Sequence, residues 1–291
     1  MKKIFIWSIL CLSAIMVQAD KITARQKFFN TVEADPAAAV KYLADNDVEI
    51  RRYALYRVIK ADPAKNIAAI ARAAGDPEDQ IRLIAVMALA KLTGSDPQVM
   101  SLLQKIAAQE KNQQIRQIAV AASWPFRRTI KLLRNDPAWD YEVKVIKTLP
   151  LEKLPWLFTL DPQQNGHLQG FFKPDMDTSG WKPVKMGFWE HQGFADYNGA
   201  AWYQIKFVMP PKMDCNAVEI AFEAVDEAAW VWLNGKYLGA HDVGPEGWRE
   251  PFAVDCTSEV LWGKENVLTI RVYDAAFAGG IYRPLRVEIL K

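Results

Sequence analysis

The sequence predicts a multidomain chain, α then β: a helical solenoid over residues 20–150 and a β-sandwich over 151–291. Three observations carry this. A motif with helical periodicity recurs in the first half at spacings of 31 and 34 residues. In the second half, two-residue alternation of apolar side chains replaces it. Composition shifts at the same place: of 15 Gly only Gly75 and Gly94 precede residue 151, and eight of the 11 Trp follow it.

The formal charge of +2 on 291 residues averages unlike segments. Residues 20–150 hold 21 basic and 15 acidic side chains, whereas 151–291 hold 13 basic and 19 acidic. With 51% apolar and 24% charged residues, the chain is not disordered, collagenous or a polytopic membrane protein.

At the N-terminus, Lys2 and Lys3 precede an apolar run from Ile4 to Val17, ending at Val17-Gln18-Ala19 before Asp20. This is the order of a secretory signal peptide over 1–19, cleaved after Ala19. It predicts a secreted or periplasmic mature chain with no integral membrane span. The alternatives are an uncleaved anchor and, through Cys11, a lipoprotein, against which the bulky Leu10 stands. Export places Cys215 and Cys256 in an oxidising compartment as candidate disulfide partners. A bridge closing about 40 residues stabilises by roughly 3–4 kcal/mol on the chain-entropy account. Two separate buried thiols are the alternative.

The repeats of the first half are Ile50-Arg51-Arg52-Tyr53-Ala54, Ile81-Arg82-Leu83-Ile84-Ala85 and Ile115-Arg116-Gln117-Ile118-Ala119. Their first, fourth and fifth positions share a helical face, and the fifth is always Ala, suited to close helix approach. A weaker fourth copy is expected at Val143-Lys144-Val145-Ile146. Helices rich in Ala, Ile and Leu intervene, over 67–74 and 99–107. Asp-Pro opens many helices, at Asp35-Pro36, Asp62-Pro63, Asp76-Pro77, Asp96-Pro97 and Asp136-Pro137. Asp caps free N–H groups and Pro suits a first turn. Stacked antiparallel pairs follow. With Ile-Arg-x-x-Ala opening each second helix, this half resembles HEAT repeats, which implies a scaffold or a surface for a protein partner. Arg51, Arg82 and Arg116 form a candidate basic ladder, for an acidic partner or for salt bridges within each layer. A modest surplus without interleaved aromatics speaks against nucleic acid.

The strands of the second half read in order. Ala201-Trp202-Tyr203-Gln204-Ile205-Lys206-Phe207-Val208 alternates and stops at Pro210-Pro211. Val218, Ile220 and Phe222 alternate with Glu219, Ala221 and Glu223. Trp230-Val231-Trp232-Leu233 enters the hairpin turn Asn234-Gly235, with Lys236-Tyr237-Leu238 returning. Pro251 to Val254, Val267 to Tyr273 and Arg286 to Leu290 complete a sandwich.

Several of these runs are similar to a known family. Phe188-Trp189-Glu190-His191-Gln192-Gly193 and Tyr197-Asn198-Gly199-Ala200-Ala201-Trp202-Tyr203 resemble the start of the sugar-binding jelly roll of family-two glycoside hydrolases. Val231 to His241, Pro251 to Asp255, Glu265 to Leu268 and the closing Gly279-Gly280-Ile281-Tyr282-Arg283 continue the match, as in β-galactosidases and β-glucuronidases. The resemblance implies a galactose-binding-like jelly roll. In those enzymes a downstream (β/α)8 barrel of roughly 250 residues supplies the catalytic glutamates. This chain stops at Lys291, so the expectation is a non-catalytic protein, with no catalytic residue and no cofactor.

Sugar recognition combines aromatic faces with planar polar groups in a concave site. The candidates are Trp189, Glu190, Tyr197, Asn198, Trp230, Trp232, Trp248, Arg249, Asp274, Tyr282 and Arg283. Trp202 and Trp232 stand in strands and are expected to cover the core. Trp189 and Trp248 flank strands and are the favoured platform, and Arg283 alternatively locks the final loop. Asp226-Glu227 reads as a solvated turn. Asp175 and Asp177 give a weak calcium pattern, and His167, His191 and His241 lack metal-ligand spacing. The expected function is a secreted non-catalytic carbohydrate-binding protein. The alternatives are a purely structural or protein-interaction module, or an accessory piece of a β-galactosidase-like system.

Overall fold

The computed structural model describes residues 23–94, 96–126, 143–195 and 197–291. The signal peptide expected at 1–19 and Asp136-Pro137 lie outside them. The chain divides into two units, with the second beginning at Trp124.

The first unit holds α1 (23–34), a 3-10 helix (Pro36–Ala44), α2 (Val48–Ala61), α3 (Ile67–Ala73), α4 (Asp79–Ala90), α5 (Pro97–Gln109) and α6 (Gln113–Ala122). Asp35, Asp47, Asp96 and Asn112 each cap the helix that follows by accepting a backbone N–H. The repeated Ile and Ala positions are buried throughout: Ile50, Ala54, Ile81, Ala85, Ile115 and Ala119 are at most 1% exposed. The fourth motif position lies off that face, where Tyr53 is 44% exposed.

The arginine ladder is internal. Arg51 grips Asp76 through Nε and Nη2 at 2.8 and 3.0 Å, and Arg82 grips Glu110 at 2.9 and 3.1 Å. Each acid also accepts the N–H two residues on, Glu78 or Asn112, at the start of the next repeated helix. One carboxylate thus ties two successive layers. Arg25 makes the same fork with Asp47, the cap of α2. Arg51 and Arg82 are therefore used by the solenoid rather than free for an acidic partner.

The second unit is a sandwich of two antiparallel sheets. Its strands are β1 (Val145–Pro150), β2 (Trp156–Asp161), β3 (Lys182–Val184), β4 (Gly199–Val208), β5 (Ala217–Phe222), β6 (Ala228–Leu233), β7 (Lys236–Asp242), β8 (Phe252–Asp255), β9 (Glu265–Asp274) and β10 (Leu285–Leu290). One sheet runs β1-β10-β5-β8 and the other β3-β2-β4-β9-β6-β7. The weak fourth repeat copy is corrected here. Val145 and Ile146 open β1, antiparallel to β10, so the β unit starts upstream of residue 151. Their β-branched side chains suit a strand, and Ile146 packs on the inter-sheet core.

Alternation decides what each sheet buries. Tyr203, Ile205, Val231, Leu233, Leu268 and Ile270 point between the sheets. Trp202 and Trp232 are fully buried, but in a second cluster with Trp181, joined by Trp124, Phe126, Phe171 and Phe172. Trp202, Arg271 and Trp230 stand side by side across β4, β9 and β6. The Arg271 guanidinium lies 4.7 Å from the Trp124 ring and 4.6 Å from Trp230, and burial pulls its pKa down to about 10. Trp202 and Trp232 are core residues as expected, and the core they cover is this second cluster rather than the one between the sheets.

Cys215 and Cys256 are free thiols, the second of the two arrangements the sequence leaves open. Cys256 lies opposite Val218, donating its N–H to that carbonyl, whereas Cys215 is three residues further along β5's approach. At ~3.3 Å per residue this offset is about 10 Å, beyond disulfide reach.

Candidate functional site

The Gly279–Arg283 loop between β9 and β10 organises one end of the sandwich. Gly279 accepts from the Trp189 N–H at 3.0 Å and donates to Glu190 Oε1 at 3.0 Å. Gly280 accepts from Asp226 N–H at 3.0 Å, and Ile281 from Gly187 N–H at 2.8 Å. Gly280 holds φ +136°, and a Cβ there would meet the Gly187 carbonyl at 2.7 Å. Gly280 is required by this close backbone approach, and Gly279 by the Trp189 ring packed against it.

The predicted platform separates. Trp189 is fully buried, its indole N–H donating to the Tyr197 carbonyl at 3.1 Å, so it offers no face to a ligand. Tyr197 is half-buried and donates its hydroxyl to Ala200 O at 2.7 Å, and Asn198 is exposed beside it. Trp248 is 42% exposed. Its carbonyl accepts from the Tyr282 hydroxyl, and the Tyr282 ring stacks on Phe188 at 4.9 Å and 11°. Arg249 is exposed and paired with Glu246. Trp230 and Trp232 lie in the outer-face cluster instead.

Asp274 and Asp226, the latter read from sequence as a solvated turn, form a buried carboxyl pair at 0% and 7% exposure. Asp274 Oδ1 accepts from Ala276 N–H at 2.9 Å. The Oδ2 atoms of both, and Glu190 Oε2, have no donor in the protein. With both groups ionised the pair has no hydrogen between its oxygens. One proton on Asp226 makes a hydrogen bond to Asp274. Burial first, then the Asp274 and Glu227 charges, push Asp226 up to about 8, and burial also raises Asp274. The signal for this in sequence was slight: an acid between Val225 and the apolar start of β6.

Tyr282 also lines a cavity of about 510 Å³, together with Lys153, Lys185, Met186, Arg283 and Glu152. Arg283 is exposed, its guanidinium 5.7 Å from the Tyr282 ring, and it makes no side-chain hydrogen bond with the described residues. It does not lock the loop in that way. Lys153 and Lys185 were missed because neither falls in a recognisable motif. A larger groove, about 800 Å³, lies in the helical unit between the 3-10 helix and α3, where Lys41 and Arg72 are offset by Asp35 and Asp76. Its mixed lining points to no ligand class.

Asp177 caps a local turn by accepting from Ser179 N–H. His167 is buried against Trp124, and His241 stacks on Phe252. Among the described residues no cluster of three His, Cys, Asp or Glu is arranged for a metal, and no helix is long and apolar enough to cross a membrane.

Residues 36–123 match the family model for HEAT repeats. A β-galactosidase of Thermoanaerobacter pseudethanolicus is 28% identical over 144 residues, 42% of this chain and 19% of that protein. A β-glucuronidase of Formosa agariphila is 33% identical over 76 residues, 26% of this chain and 7% of that protein. The chain thus spans less than a fifth of the length of these relatives. The crystal structure of Ruminococcus gnavus β-glucuronidase aligns at 16% identity and TM-score 0.44, covering 52% of this chain and 30% of that one. A family-two glycosyl hydrolase from Bacteroides cellulosilyticus aligns at 21% identity and TM-score 0.41, covering 50% and 21%. The segment that matches the HEAT-repeat model precedes the β-sandwich.

Proposed function

We propose that the β unit is a non-catalytic carbohydrate-binding domain, holding a glycan where the Gly279–Arg283 loop adjoins Trp248. The helical repeats then act as scaffold or partner-docking surface, in a secreted or periplasmic protein. The observation that carries this is the exposed Trp248, tied through its carbonyl to the Tyr282 hydroxyl and so fixed beside the closing loop. A pyranose presents a C–H face to such an aromatic pair. Of the residues expected from the sequence, Trp248 and Tyr282 form this site, whereas Asp274 is fully buried. Trp189 and Tyr197 support the loop from behind.

Isothermal titration of the full chain with neutral and acidic oligosaccharides tests the proposal. The expected result is weak binding, roughly micromolar to millimolar, lost in Trp248→Ala. Heats at blank level for every glycan, or equal affinity in Trp248→Ala, would remove it. One observation favours the rival reading of a structural or protein-interaction module: half of the expected aromatic platform, Trp189, is sealed in the core. Release of nitrophenol from aryl glycosides by the pure chain would instead overturn its non-catalytic character.

A further inference from the structure

We infer that the basic cavity beside Tyr282 is an anion-binding subsite, taking the carboxylate or sulfate group of an acidic glycan. The inference rests on the carbohydrate reading of the adjoining loop and specifies its ligand. At about 510 Å³ the cavity has the size of a monosaccharide-to-disaccharide site. Three cations line it, Lys153, Lys185 and Arg283, against one acid, Glu152. None of the three is ion-paired with the described residues, whereas Lys206, Arg249, Arg286 and Lys291 of the same unit are each paired with an acid. This local surplus stands in a segment, 151–291, that carries 13 basic and 19 acidic side chains. An anion entering the cavity meets three free cations grouped against one acid.

The backbone beneath each cation is held in place. Lys185 has its N–H and C=O both bonded to the Gln192 side chain, at 2.7 and 3.0 Å. Leu154, next to Lys153, donates to Leu151 O at 3.2 Å, and Pro284, next to Arg283, accepts from Glu223 N–H at 3.0 Å. Arg283 suits a bidentate carboxylate or sulfate contact, and the lysines add point charges. Met186 and Tyr282 supply an apolar wall for the sugar ring.

The test is titration of the full chain with an oligogalacturonate, a sulfated galactan oligosaccharide, a neutral galactan oligosaccharide and polyglutamate. Binding of either acidic glycan roughly tenfold tighter than the neutral one, weakening with added salt, is expected. Preference between the two acidic probes identifies the carboxylate or the sulfate as the recognised group. The exposed variants Lys153→Gln and Lys185→Gln should each weaken acidic-glycan binding several-fold and leave neutral-glycan binding unchanged, while Lys236→Gln on β7 changes neither. Equal binding of neutral and acidic glycans, unaffected by these variants, overturns the subsite and leaves the carbohydrate reading standing. Polyglutamate binding as tightly as the acidic glycans also overturns it, as a nonspecific polyanion surface. No binding of any glycan overturns both.

Discussion

A methyl group on Gly279 would lie 2.1 Å from the Trp189 ring, so the closing loop and the indole pack with no space between them. This contact explains why Trp189 is unavailable to a ligand although it sits in the motif most like a sugar-binding domain. It also ties the ligand-facing loop to the sandwich core. Gly279→Ala should destabilise the β unit by about 1–3 kcal/mol through overpacking. At roughly 2–4 °C per kcal/mol, the shift is readable in a thermal melt followed by tryptophan fluorescence. An unchanged melting temperature would mean that the loop moves aside freely, and the rigid site argued above would be lost with it.

The rung between Arg82 and Glu110 carries a second prediction. Their side chains are 16% and 4% exposed, unlike the Arg52–Glu49 pair at 32% and 31%. Glu110→Gln weakens both the Arg82 fork and the cap on Asn112 N–H, and should cost about 1–3 kcal/mol. Glu49→Gln should cost under about 1 kcal/mol. The Arg82 hydrogen bond, opposed by burial, holds Glu110 below its ordinary 4.5. A depressed carboxyl contributes stability above its unfolded value, lost as pH falls through the folded one. The helical unit should therefore weaken below about pH 4.5, and Glu110→Gln should flatten that slope in a far-ultraviolet melt series. Equal costs for the two variants would deny the ladder any special role.

The repeats were legible because helical periodicity and Asp caps are local signals: Ile50, Ile81 and Ile115 announce buried faces without knowledge of any neighbour. The Asn234-Gly235 hairpin was legible for the same reason, and both residues hold positive φ. What the sequence hid depends on register between distant strands. Trp202 and Trp232 read as core by their strands, but which face of the sheet they occupy follows from their partners across β4, β9 and β6. Asp226 and Asp274 are 48 residues apart and meet because β6 pairs with β9, Ala228 opposite Tyr273. Val143-Lys144-Val145-Ile146 carried apolar spacing short enough to fit either period, and the open edge of β10 decided for a strand.

The thiols give a third prediction. Because Cys215 and Cys256 are free, residues 20–291 should release two thiols to a chromogenic disulfide reagent when denatured without reductant. In the native protein Cys215, half-buried, should react first. Cys256 is buried, its thiol pushed up by desolvation and donating to the Val218 carbonyl at 3.4 Å, so it should react only on opening. A denatured count of zero would require a bridge, and with it a shift of the β5–β8 approach by about three residues.

The last prediction concerns the carboxyl pair. Burial and the Asp274 charge push Asp226 up to about 8 from an ordinary 3.8, so the folded protein holds a proton that the unfolded chain has released. Stability from this proton is fully present below the unfolded value and is lost as pH rises toward 8. Glu190, Glu227 and Asp274 all face Asp226, and each adds negative charge against its ionisation. The β unit should therefore melt at a lower temperature at pH 8.5 than at pH 5, a window well above the acid titration of the helical rungs. Asp226→Asn keeps a donor toward Asp274 and carries no charge at either pH. It should remove most of the slope and raise the melting temperature at pH 8.5 above that of the unmodified chain. Parallel slopes in the two proteins would place the retained proton on another group, and Asp226 would then be ionised beside Asp274 in the free site.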